Sequence, residues 1–235
     1  MQYHHAPLQN YEDFSSGRVI YHKSGLATFP VRLAIEIMGR CLSYFPEKKV
    51  KVYDPLCGEA YLLTVVGFWY HKRIEEIIGS DISAAALEFA AKNLGLLGSE
   101  GLAIREKELI YLHTTYQKPT HQDALESLQR LREKASSPSV RLFEKDALQP
   151  VESEEQGFLA DVILTDAPYG QMISWAGGTE EPLENMLTHL SPVLSLDGLV
   201  AIVTHKQQKV NHQAYLRVEK FGVGKRKVEI LRKVN

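Results

Sequence analysis

The sequence predicts an α/β fold on a mainly parallel sheet, and three observations predict it. Short apolar runs of strand length alternate with helix-like segments, the rhythm of βαβ units. Four of those runs are followed by an aspartate, at Asp54, Asp81, Asp146 and Asp166. The length of 235 residues, with 44% hydrophobic and 24% charged side chains, suits one soluble α/β domain with additions.

Taken in order, residues 1–47 read as a helical extension, in which Phe29-Pro30-Val31-Arg32 opens an amphipathic helix through Arg40; proline suits a first helical position. Residues 50–54 form the first strand, and Pro55-Leu56-Cys57-Gly58 ends it before a helix over 60–70. The second strand is 77–81, and Ser83 caps a helix over 84–94. Residues 97–138 read as a helical insertion with balanced charge, carrying Leu125, Leu128 and Leu131 on one stripe. Strands follow at 140–143 and 161–165, a mainly helical stretch at 182–194 and a strand at 199–203. Segments 215–221 and 227–234 close the chain as a hairpin around Gly222-Val223-Gly224, within a single domain over 1–235.

Composition excludes several classes of function. No run of eighteen apolar residues and no charged-then-apolar leader occurs, so neither a membrane span nor secretion is expected. Cys41 and Cys57 are the only cysteines, and no Cys/His group has zinc-ligand spacing; no metal and a reducing cytoplasm are expected. The net charge of −2 conceals an asymmetry: residues 205–235 carry nine Lys or Arg against two Glu, a net of +7. Such an end, with Lys206, Lys209, Lys225, Arg226 and Lys227, fits a polyanion. Edge strands whose lysines block aggregation are the other reading. Arg18 and Arg32 would extend the basic surface, although Arg32 can equally pair with Glu36 at i+4.

The chemistry gathers where strands end. Thr165-Asp166-Ala167-Pro168-Tyr169-Gly170 follows a buried apolar run and reads as a catalytic loop around Asp166, Pro168 and Tyr169. A carboxylate and a carbonyl accept hydrogen bonds from a nitrogen heterocycle, and Tyr169 offers a stacking face worth roughly 1–3 kcal/mol. The same residues are also good turn chemistry. Ligands of open α/β sheets bind beyond the carboxyl ends of strands, which gathers Asp54, Asp81, Asp146 and Asp166 in one crevice. Asp81 is placed for a ribose diol, and Asp146 for an adenine amino group between Ile82 and Ala147. The first loop lacks both G-x-x-x-x-G-K-[ST] and G-x-G-x-x-G, which leaves triphosphate and dinucleotide readings unsupported. Asp54 and Glu59 would repel a pyrophosphate and suit a cation. S-adenosyl-L-methionine, with its sulfonium and ammonium, fits the crevice better than NAD.

Ser16-Gly17-Arg18-Val19, 29–34, Asp54-Pro55 with Cys57-Gly58, 61–65, 90–94, 164–166, Pro168-Tyr169-Gly170 and Trp175 together carry a resemblance across nearly the whole chain. On them the chain resembles the AviRa family, avilamycin-resistance methyltransferases of the class I S-adenosylmethionine-dependent group that modify a guanine of large-subunit ribosomal RNA. The resemblance implies a Rossmann-like, mainly parallel seven-stranded sheet with flanking helices. It further implies antibiotic resistance through methylation of 23S ribosomal RNA or a ribosomal precursor particle, and a monomer is favoured. It matches Asp54, Gly58 and Asp81 to the family's cofactor loop and ribose acid, Asp146 to the position beside adenine, and 166–170 to the target-base loop; Cys57, Ala60, Ile82, Ala147 and Asp166 complete the expected cofactor-binding set. Glu59-Ala60 departs from the family pattern of a small residue and glycine, and an alanine forced to positive φ costs about 1 kcal/mol. Ala167 stands where a larger apolar residue is usual.

Methyl transfer to nitrogen depends mainly on positioning, worth roughly 7–11 kcal/mol when reactants are aligned. For an exocyclic amine, Asp166 and the Ala167 or Pro168 carbonyl would accept hydrogens; for guanine N1, Asp166 would take the ring proton. A DNA or small-molecule methyltransferase, or a non-catalytic RNA-binding module on the same fold, are the alternatives.

Overall fold

A computed structural model of the chain describes residues 2–23, 28–150, 157–168 and 181–234. Strands β1 (Val50–Asp54), β2 (Ile74–Asp81), β3 (Ser139–Glu144), β4 (Ala160–Asp166), β5 (Leu194–His205), β6 (Tyr215–Val223) and β7 (Arg226–Lys233) form one seven-stranded sheet. Its order is β3-β2-β1-β4-β5-β7-β6. The first five strands are parallel, and β7 runs antiparallel between β5 and β6. The direction of winding reverses between β1 and β4, the place where open α/β sheets take ligands.

The central strands explain themselves. β4 is buried from Ala160 through Thr165 and β5 from Gly198 through Thr204, so both read as continuous apolar runs, as expected of parallel strands covered on two faces. One face packs on α1 (Val31–Leu42) and α2 (Tyr61–Trp69), and the other on α6 (Pro182–Leu190) through Leu183, Met186, Leu187 and Leu190. α3 (Ala84–Gly95) begins at Ser83, whose hydroxyl accepts the Ala86 N–H at 3.3 Å. Among the described residues no helix is long and apolar enough to cross a membrane.

Several elements differ from the sequence expectation. The insertion holds two helices, α4 (Ser99–Tyr116) and α5 (Pro119–Arg132). α4 shows no single stripe: Leu102 and Leu109 are buried while Ile104, Ile110 and Tyr111 are exposed, so periodicity does not reveal it. β5 begins at Leu194 rather than Leu199, because the helix before it ends at Leu190 and a 3-10 turn leads directly into the strand. Pro30 is the residue before α1, not its first: it is extended at φ −63°, ψ 117°, and its carbonyl accepts the N–H groups of Leu33 and Ala34.

The extension is fastened by one buried charge. Glu36 is fully buried on α1, and its carboxylate accepts the N–H groups of His4, His5 and Ala6 at 2.9, 2.7 and 3.0 Å. Arg40 donates to Glu36 at 2.8 Å and to Glu219 of β6 at 2.8 Å. Burial raises the Glu36 pKa, but the His4, His5 and Ala6 N–H groups and Arg40 outweigh it and hold the group below its ordinary value. Gly39 lets the segment approach this closely, since a Cβ there would lie 2.3 Å from His5 Cβ. The i+4 partner of Glu36 is therefore Arg40; Arg32 donates instead to the Ala6 carbonyl at 3.1 Å and lies over the Tyr3 ring.

Removing a buried carboxylate that caps three N–H groups and pairs an arginine leaves all of them unsatisfied. Glu36→Ala should lower stability by roughly 3 kcal/mol in urea denaturation and expose residues 2–6 to limited proteolysis. An unchanged midpoint would show that the clasp does not hold the extension.

Candidate active site

Three neighbouring strands, β2, β1 and β4, end in Asp81, Asp54 and Asp166. Asp54 is 2% exposed, and its Oδ1 accepts the Leu56 N–H at 3.0 Å. Burial pushes its pKa up to about 7, the Leu56 N–H and the Thr165 hydroxyl oppose that rise, and the charges of Asp81 and Asp166 add to it. Asp81 is better satisfied: Oδ2 accepts the Gly58 N–H at 2.8 Å and Oδ1 the Ser83 N–H at 2.9 Å. Each oxygen retains acceptor capacity for a ligand hydroxyl.

The first loop is built on two residues at positive φ. Gly58 has φ +52°, and Ala60 sits left-handed at φ 55°, ψ 28° with no exposure. Ala60 thus takes up the strained geometry, worth about 1 kcal/mol, that glycine would avoid. In return its carbonyl receives the Thr64 N–H and hydroxyl at 2.9 and 2.7 Å and starts α2. The Cys57 N–H donates to the Ser80 carbonyl at 2.9 Å, drawing the loop over β2.

Glu59 turns away from the role in charge matching that its sequence position suggests. Its carboxylate lies 3.2 Å from the Lys23 N–H and 3.2 Å from His22 Nδ1, and its carbonyl accepts Asn93 Nδ2 at 2.8 Å. Asn93, fully buried, also bonds both backbone groups of Tyr21. Glu59 therefore ties the loop to the N-terminal extension.

Asp146 follows β3, whose end joins β2 through the Lys145 N–H to the Asp81 carbonyl at 3.0 Å. Its Oδ1 accepts the Leu148 N–H at 2.9 Å. Of the two residues expected beside it, Ile82 is exposed, whereas Ala147 is buried in the core with Tyr53, Ile78 and Ala167.

Asp166 is the carboxylate with most left to do. Its Oδ1 is buried with no hydrogen-bond partner among the described residues. Burial raises its pKa to about 6, and Arg226 pulls the other way. The loop beyond is held from β5: the Ala167 N–H donates to the Val203 carbonyl at 2.9 Å, and Gln208 Nε2 to the Pro168 carbonyl at 3.2 Å. Gln208 is a site residue the sequence did not suggest, because a glutamine in a polar loop carries no signal of its own. Tyr169, Gly170 and Trp175 lie outside the described residues.

The basic residues divide sharply. Lys206, Lys209 and Lys225 are exposed, and the Lys206 N–H donates to the Lys225 carbonyl at 3.1 Å, so two of them share the rim beside the Asp166 loop. Lys227 is 8% exposed, 2.9 Å from the buried Glu229, and donates to the Gln208 carbonyl; it supports the loop from beneath and is no surface cation. Arg18 is taken up by Glu12, Asp123 and Ser127 at 3.5, 3.7 and 3.3 Å, and Arg32 by Ala6 and Tyr3, as above. Arg226 lies 5.7 Å from the centre of the Phe29 ring.

A family model described as rRNA methyltransferase AviRa matches residues 1–226. The chain is 34% identical over 231 residues to a 23S rRNA (guanine(2535)-N(1))-methyltransferase of Streptomyces viridochromogenes, covering 94% of this chain and 91% of that protein. A solved structure of the rRNA methyltransferase aviRa from the same organism superposes with a TM-score of 0.89 at 32% identity, covering 99% of this chain and 96% of that one. TrmN from Thermus thermophilus matches with a TM-score of 0.55 at 14% identity, over 90% of this chain and 51% of that one; this likeness is one of fold.

Asp54 and Asp166 both titrate above the ordinary carboxylate range. A carboxyl whose folded pKa is raised favours folding fully below its unfolded value, and that contribution is lost as pH rises through the folded value. The stability of the ligand-free protein should therefore fall between about pH 4 and pH 7, at up to about 1.4 kcal/mol per pH unit for Asp54. Asp54→Asn should remove most of that slope in urea titrations at several pH values. A wild-type slope in the variant would locate the titration elsewhere.

Proposed function

Because the chain belongs to the AviRa family of rRNA methyltransferases, we propose that it methylates N1 of a guanine in 23S ribosomal RNA, using S-adenosylmethionine. The observation that carries this reading is Asp166: a buried carboxylate with an unpartnered oxygen, at the end of the strand beside Asp54.

The residues present fit the cofactor. Asp54, buried and short of partners, suits a cationic ammonium, and Asp81 keeps acceptor capacity for ribose hydroxyls while holding the loop through Gly58. Space around Gly58 supports close approach of a ligand, since a Cβ there would meet nothing within 4 Å. Ile82, exposed just before α3, offers an apolar face for adenine, and Asp146 in the loop after β3 offers an acceptor; Ala147 packs in the core instead. When bound, S-adenosylmethionine supplies an electrophilic methyl group on sulfonium.

Asp166 supplies the base for the other partner. Guanine N1 carries a proton in the neutral ring, so its lone pair becomes available only as that proton moves to the carboxylate. The Pro168 carbonyl, fixed by Gln208, keeps one lone pair for the base. The target must be unpaired or flipped, as expected for RNA read in loops. Lys206, Lys209 and Lys225 form the backbone-binding rim. The protein acts in the cytoplasm, as a monomer, on 23S rRNA or a precursor particle. Ala60 keeps the left-handed geometry of the first loop, which favours an active enzyme over a non-catalytic module.

Mass-spectrometric mapping should find one N1-methylguanine in 23S rRNA made by the wild-type protein and absent with Asp166→Asn, which should retain S-adenosylmethionine binding by calorimetry. Methylation of DNA or metabolites alone would overturn the reading. Single-turnover rates should rise with pH to a plateau above about pH 6, where Asp166 is ionised. Cofactor affinity should likewise grow as pH rises through about 7, with proton release from Asp54. The triple exchange Lys206, Lys209 and Lys225→Ala should flatten the salt dependence of RNA binding by a slope of up to about 3 and leave cofactor affinity unchanged.

A further inference from the structure

Arg226 stands on the same face of the sheet as Asp166, and the strand register explains why. Asp166 pairs with Val203 of β5, Val203 pairs with Val228 of β7, and Arg226 pairs with His205 two residues further along. Residues two apart on a strand share a face, and paired neighbours share it too. Asp166, Val203, Val228 and Arg226 thus stand on one face, which Phe29 also covers. The guanidinium is close enough to hold the Asp166 carboxyl down against its burial. His205 stands opposite Arg226 on β5, whereas Lys227 and Glu229 alternate to the other face.

A carboxylate and a guanidinium side by side present an acceptor next to a donor. Guanine shows the complement on its Watson–Crick edge, a donor at N1–H next to an acceptor at O6. Adenine shows the reverse, an acceptor at N1 next to an amino donor. Building on the reading above, we propose that Arg226 selects guanine by donating to O6 and stabilises the ring as N1 passes its proton to Asp166. The proton moves to a carboxylate oxygen of Asp166, and the electron pair it leaves stays on the ring, shared between N1 and O6. Charge accumulates at O6, where a guanidinium can meet it with two N–H groups. Arg226 also limits the rise that burial imposes on the Asp166 carboxyl.

The test uses 23S rRNA fragments carrying guanine, inosine or 2-aminopurine at the mapped nucleotide. Inosine keeps N1–H and O6 and lacks the amino group; 2-aminopurine keeps the amino group and lacks both. Wild-type protein should methylate guanine and inosine and leave 2-aminopurine untouched. Arg226→Gln should lower the single-turnover rate on guanine about a hundredfold and move the acidic limb of the pH profile upward, with RNA affinity retained. Arg226→Lys should recover part of the rate, and His205→Gln should keep the wild-type limb. Equal urea midpoints would exclude misfolding. Inertness of inosine with wild-type protein would overturn the N1 reading itself. Methylated inosine together with an unaltered rate and limb in Arg226→Gln would overturn the role of Arg226 alone. So would a loss confined to RNA affinity and its salt slope, which would make Arg226 a phosphate contact, or a limb that moves with His205.

Discussion

The desolvation of carboxylates at one end of a parallel sheet is the constraint around which this protein is arranged. Parallel strands must be covered on both faces, so the residues that end them sit at the mouth of a dry core. Asp54 and Asp166 are placed there with fewer partners than ionised carboxylates need, and both resist ionisation as a result. Asp81, between the first loop and the start of α3, has two N–H partners and anchors its surroundings. The raised carboxyls suit incoming partners of complementary kind: a cation at Asp54 and a proton donor at Asp166. On the function proposed above, this division gives the cofactor to one carboxylate and the base to another, along adjacent strands.

Much of this was legible in the sequence because the signals are local. Short segments rich in apolar residues at 50–54, 77–81, 161–165 and 199–203, three of them closed by aspartates, announce buried strands and what stands at their ends. The N-cap at Ser83 is equally local. What escaped depends on contacts between distant segments. α4 divides its apolar residues between two sides because α5 and the extension cover it unevenly. Gln208 reaches Pro168 across forty positions, and nothing in its neighbours foretells that. Glu59 looked like a charge for a ligand, yet its partners are 36 and 37 residues away.

Charge counting misjudged the basic end for a related reason. A net of +7 over residues 205–235 describes the sequence, not the surface. The antiparallel insertion of β7 between β5 and β6 buries Glu229 and draws Lys227 and Arg217 onto it at 2.9 and 2.8 Å. Alternation along β7 then separates the rest: Lys227 faces inward to brace the β5–β6 loop, and Arg226 shares the face of Asp166. The cations left at the rim are fewer, but they stand beside the chemistry.

The tie between Glu59, Asn93 and the segment at 21–23 also bears on how the fold can be taken apart and reassembled. In a methyltransferase without the extension, a carboxylate at position 59 would be stranded beside the first loop with neither His22 nor the Lys23 N–H to receive it. Conversely, the extension without Glu59 and Asn93 would lose its grip on the sheet. Loop, helix and extension thus form one heritable unit: a chimera that exchanges any one of them must exchange the others, and compensating changes in related chains should appear at these positions together.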